Sequence, residues 1–128
     1  MKSFVSENES SLAQESRAIL DYRIGIIESM IQRTRNIPDD RRAELLTMVA
    51  GLRSEIKTLS ETHHEEASSI TSFADASAHE ASRAQKNPQL AETALHGLRL
   101  SIQGFEDSHP VLVGMVSRFA TTLSNMGI

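Results

Sequence analysis

The sequence predicts an all-α protein, folded as an elongated helical bundle. Three observations carry that prediction. Apolar residues recur three and four positions apart along most of the chain, as they do on one side of a helix. The three prolines, Pro38, Pro88 and Pro110, stand where one periodic run gives way to the next. The composition is 39% apolar with four Phe, one Tyr and no Trp in 128 residues, lean for a globule but sufficient for aliphatic and Ala side chains packed along narrow seams. A chain of this length predicts a single domain, residues 12–128, preceded by a polar tail over residues 1–11. That tail carries serines, one Lys and two Glu, without the basic start and apolar run of a secretory signal, so no export is expected.

The first predicted helix covers about residues 12–36. Leu12, Ile19, Ile26 and Met30 fall on one line, with Leu20, Ile24, Ile27 and Ile31 beside it. A stripe this wide needs more than one neighbouring helix to cover it. Pro38 disfavours helical geometry at Ile37 and ends the run. Pro38, Asp39 and Asp40 then supply a turn and first-turn negative charge for a second helix, and the short link predicts an antiparallel hairpin.

The second helix has the cleanest seam, Leu45, Val49, Leu52, Ile56 and Leu59, with His63 on the same line. Beyond it small residues dominate: Ala67, Ser68, Ser69, Ala74, Ala76, Ser77, Ala78, Ala81, Ser82 and Ala84, with Ile70 and Phe73 the only large apolar ones. No Gly or Pro interrupts the run before Asn87, so the sequence predicts a long helix over residues 39–86, either unbroken or broken near 68–72, where hydroxyl and β-branched residues weaken helix preference. Unbroken, it would be about 70 Å long at 1.5 Å per residue, and the first helix would cover only its first half. Asn87 and Pro88 open a third helix over about 88–107 with the seam Ala91, Leu95, Leu98, Ile102 and Phe105. Pro110 opens a fourth over about 110–126, with Leu112, Val116, Phe119, Leu123 and Met126 on its seam. Gly127 and Ile128 suit a Schellman ending that returns Ile128 onto Leu123.

The segment Phe105-Glu106-Asp107-Ser108-His109-Pro110, the ending Leu123-Ser124-Asn125-Met126-Gly127-Ile128, and the turn from Pro38 to Leu46 resemble a family of short bacterial proteins catalogued only as a domain of unknown function. The resemblance covers about two-thirds of the chain and is strongest over its last 30 or so residues. It implies a bacterial, cytoplasmic, helical protein and transfers no catalytic residue. The Ala/Ser-rich segment over 61–86 is an addition relative to the short members.

Composition excludes several chemistries. With no cysteine there is no disulfide scaffold, thiolate zinc site, iron–sulfur cluster or cysteine nucleophile. A net charge of −4 argues against broad electrostatic binding to nucleic acid or anionic lipid. No apolar window is long enough to cross a bilayer, and no membrane association is expected. Glu61-Thr62-His63-His64 and Glu106-Asp107-Ser108-His109 both contain the Glu-x-x-His spacing of carboxylate-bridged di-iron bundles. Glu61, however, lies opposite the Leu52, Ile56 and Leu59 seam, and the second match straddles the break before Pro110. A metal site formed by Glu61, His63, His64 and Glu66 is therefore the alternative to a solvated acidic face. Arg33, Arg35, Arg41 and Arg42 gather at the first turn and give a third reading, contact with nucleic acid, but no aromatic stacking residues or recognisable module accompany them. No nucleophile with a base and an orienting acid can be assembled.

The sequence therefore favours a non-enzymatic interaction or scaffold protein without a cofactor, self-associating as a homo-oligomer. The expected interaction surface comprises Ile70, Phe73, Ala74, Ala78, Phe105 and Phe119.

Overall fold

Pro38 marks the first chain reversal in the computed structural model, which describes the backbone of residues 2–126 and the side chains of residues 14–126. Helix α1 (Lys2–Arg33) precedes it and α2 (Asp39–Ser60) follows. The remaining elements are α3 (His64–Ser82), α4 (Pro88–Ser101) and α5 (Pro110–Asn125), and no strand occurs among the described residues. The backbone is already helical from Lys2, so residues 2–11 extend the first helix rather than forming a separate tail. Neither Pro nor Gly occurs in that stretch to stop helix propagation.

The α1–α2 corner is built around Arg42. Its guanidinium donates to the carbonyls of Ile31, Gln32, Thr34 and Ile37, at 2.8 Å to Thr34 and 3.0 Å to Gln32 and Ile37. Two of these carbonyls belong to the last turn of α1, which lacks intrahelical partners and carries partial negative charge. Contacts then pair α1 and α2 in opposite order along the chain. Arg53 and Lys57 reach Asp21 at 3.1 and 3.2 Å, and Arg17 lies 4.0 Å from Glu61 at the far end.

The long second helix is broken, but at residues 61–63 and not at 68–72. Three of the four hydroxyls expected to weaken the helix at 68–72 are engaged, and Ser69 is exposed. Thr71 donates back to the Ala67 carbonyl at 2.9 Å, while Ser68 and Ser72 accept from Arg23 of α1. Turning at 61–63 lays α3 beside α2 and α1, so Ala67, Ile70, Thr71, Ala74, Ser77, Ala78 and Ala81 become core. An unbroken rod would have left that face in water. The Ala/Ser segment is therefore the middle of the bundle, packing on α1, α2, α4 and α5, and its small side chains permit close approach on several sides.

Asn87 caps α4 as expected, its side chain accepting from the Leu90 N–H at 3.2 Å, with Pro88 in the first turn. α4 stops at Ser101, short of the predicted 107. Gly104 takes a φ of +93°, a left-handed conformation that terminates the helical path and is strained for other residues. The Glu106 carboxylate accepts from the Gly104 N–H at 2.9 Å and holds the turn into α5. α5 lies against α2, where Thr122 donates to the Met48 sulfur and Met115 sits over Gly51. The proposed Schellman ending at Gly127 and Ile128 lies outside the described residues.

The α3–α4 contact gives a prediction with a change of sign. A Cβ built on Gly97 would collide with the edge of the Phe73 ring. Gly97→Ala should therefore displace that ring and destabilise the protein by about 1 kcal/mol, overpacking outweighing the gain in helix propensity. In a Phe73→Ala background the ring is gone, and the same substitution should stabilise by roughly 0.5–1 kcal/mol. Urea unfolding of the four proteins tests this, and the same sign in both backgrounds would contradict the packing.

Candidate functional site

Two surface regions combine unusual side chains with defined geometry. The first is the outer face of α1. Leu20, Ile24, Ile27 and Ile31 turn inward and are buried, and Met30 packs against the same core, which leaves Ile19 and Ile26 of the other apolar line outside. Ile19 is 58% exposed, Tyr22 71% and Ile26 40%. These three belong to a longer set, Glu15, Ile19, Tyr22, Ile26, Ser29 and Arg33, spaced alternately four and three residues apart. That is the spacing of a coiled-coil seam, here without a partner helix in the chain. At its C-terminal end the face runs into a cleft of about 610 Å³ lined by Ile26, Ser29, Met30, Arg33, Ser82 and Ala84 among others. Neither Glu15 nor Arg33 forms an ion pair among the described residues.

The second region is the corner where the α2–α3 link meets the α4–α5 link. The rings of His63, Phe105 and His109 meet edge to face there, with centroids 5.3 Å (His63–Phe105), 6.0 Å (His63–His109) and 5.6 Å (Phe105–His109) apart. His63 does not continue the α2 seam as its spacing predicted. α2 ends at Ser60, so His63 becomes the exposed residue preceding α3. Its Nδ1 lies 2.8 Å from the Thr62 hydroxyl, and His109 Nδ1 lies 3.0 Å from that of Ser108. Edge-to-face rings of this kind stabilise a corner by roughly 0.5–1.5 kcal/mol per pair.

The other residues singled out from the sequence are distributed as follows. Glu61, His64 and Glu66 are exposed, and Glu61 is directed toward Arg17. Among the described residues no three His, Asp or Glu side chains form a group able to hold a metal ion. Glu106, from the second Glu-x-x-His match, is used as a turn cap. The first-turn arginines do not form one free basic patch. Arg42 is consumed by main-chain carbonyls, Arg41 pairs with Glu44 at 3.1 Å, and Arg33 and Arg35 line the cleft. Of the expected interaction surface, Ile70, Ala74, Ala78 and Phe119 are buried within the chain itself, and Phe105 is half-buried in the ring corner. Only Phe73 keeps substantial exposure, at 39%. Tyr22 was missed. The signal that identifies it is the heptad alternation of the outer line, read together with the impossibility of burying both lines of α1.

No helix among the described residues is long and apolar enough to cross a membrane. The family described as "Domain of unknown function (DUF4404)" matches residues 45–128, from the first turns of α2 to the end of the chain. That match spans the Ala/Ser-rich segment, while α1 and its outer face precede it. No curated protein and no solved structure matches the chain.

Proposed function

The chain belongs to the DUF4404 family, a domain of unknown function, and from its own residues we propose that it is a non-enzymatic helical interaction protein that self-associates through the outer face of α1. One observation carries this reading: Ile19, Tyr22 and Ile26 form a contiguous, exposed, heptad-spaced seam on a helix whose opposite side is already anchored in the core. Single exposed apolar residues are ordinary, but an ordered apolar row is a feature of a contact surface. Ile70, Ala74 and Ala78 of the α3 face that the sequence suggested for this role are covered by the chain's own helices, and we therefore assign self-association to α1.

The expected result is a concentration-dependent rise in mass by light scattering, abolished by Ile26→Asp with helicity by circular dichroism unchanged. A protein that stays monomeric at all concentrations would overturn the reading.

A further inference from the structure

Resting on that reading, we infer that the partner of α1 is α1 of a second copy, packed antiparallel in a register fixed by Glu15 and Arg33. The exposed seam is asymmetric in charge, with an acidic residue at one end, a basic residue at the other, and Ile19, Tyr22, Ile26 and Ser29 between them. In antiparallel coiled coils the two kinds of seam position face each other across the interface, whereas in parallel ones like faces like. Centring a twofold axis at the level of residue 24 places Glu15 against Arg33 of the second copy, Ile19 against its Ser29, and Tyr22 against its Ile26. The twofold then repeats each contact, so both ends carry an opposite-charge pair.

The parallel alternative sets Glu15 against Glu15 and Arg33 against Arg33, which repels at both ends. The surface relief points the same way. The cleft beside Ser29 and Met30 lies at the level where Ile19 of the antiparallel copy arrives, giving that side chain a place to enter. A dimer of this kind also leaves the ring corner and the α4 and α5 surfaces open for other contacts.

Full-length protein carrying Glu15→Arg, Arg33→Glu or both, compared with wild type by sedimentation equilibrium at low salt, tests the register. Each single change turns two attractive pairs into repulsive ones and should weaken the dimer about 10-fold, a modest effect because exposed ion pairs are screened by solvent. The double variant restores opposite charges and should return to within about threefold of wild type. Orientation is read separately in this cysteine-free chain by oxidising a mixture of Tyr22→Cys and Ile26→Cys proteins. The mixed disulfide should form faster than either homodisulfide. If Ile26→Asp abolishes the dimer but the double charge swap fails to restore it, or the homodisulfides form faster, the register is wrong while the interaction face stands. If no dimer forms at any concentration, the register and the interaction face both fall.

Discussion

Replacing Phe119 by Ala should lower stability by about 3–5 kcal/mol, the range for truncating a large buried aromatic side chain. Phe119 is fully buried and is the largest such side chain among the described residues, set on α5 within a core shared with α1 to α4. The loss combines the transfer free energy of the ring with the cavity left behind, since helices pinned by Leu98, Leu112 and Leu123 can collapse only in part. Small domains are stable by about 5–15 kcal/mol in total, so such a variant would stand near unfolding. Denaturation by urea measures the change. The result also separates two roles for this residue. A surface anchor would lose association with stability intact, whereas a core residue loses stability first, and a loss below about 1 kcal/mol would contradict its placement in the core.

Replacing Arg42 by Met should destabilise by about 2–3 kcal/mol, because hydrogen bonds from a charged donor are among the stronger ones and four carbonyls would lose theirs at once. Met keeps most of the aliphatic stem, so the loss reports on the guanidinium. Arg42→Lys should recover less than half of it, since an ammonium cannot reproduce the planar fork that reaches four oxygens. The measurement is again unfolding by urea, and full rescue by Lys would show that charge at the end of α1 matters and donor geometry does not.

Helix positions were largely legible in the sequence wherever a local signal fixed them. Leu45, Val49, Leu52, Ile56 and Leu59 lie on the buried side of α2 as their spacing requires, and Asn87, Pro88 and Pro110 start helices where their chemistry favours a start. The reversal at residues 61–63 was not legible, because Glu61, Thr62 and His63 include no strong helix breaker. What favours the turn is tertiary, the burial of the Ala67 to Ala81 face against α1 and α2, and Ser68, Thr71 and Ser72, read as weak points, are hydrogen-bonded once that packing exists. Arg42 shows the same limit. Its position in the sequence marks a cation near a helix end, but only the folded corner brings four carbonyls within its reach.

On α1 the sequence presents two adjacent apolar lines and no means of choosing between them. The inward choice of Leu20, Ile24, Ile27 and Ile31 depends on which line α2 and α3 meet, and it leaves Ile19, Tyr22 and Ile26 outside. Shape and charge of the outer line were therefore present in the sequence, while its exposure was not. Ile70, Ala74 and Ala78, expected on an interaction surface, are buried for the converse reason: small residues that look like an uncovered docking face are covered by the chain's own reversal.

The most direct measurement uses the fluorescence of Tyr22, the one tyrosine in a chain without tryptophan. Tyr22 is 71% exposed in the single chain and lies at the centre of the proposed interface. Quenching of its emission by acrylamide should therefore weaken as protein concentration rises, in step with the gain in mass, and should stay at the monomer value in Ile26→Asp. Quenching that is unchanged across concentrations at which the mass doubles would place the contact elsewhere and contradict the assignment of α1 as the interaction face.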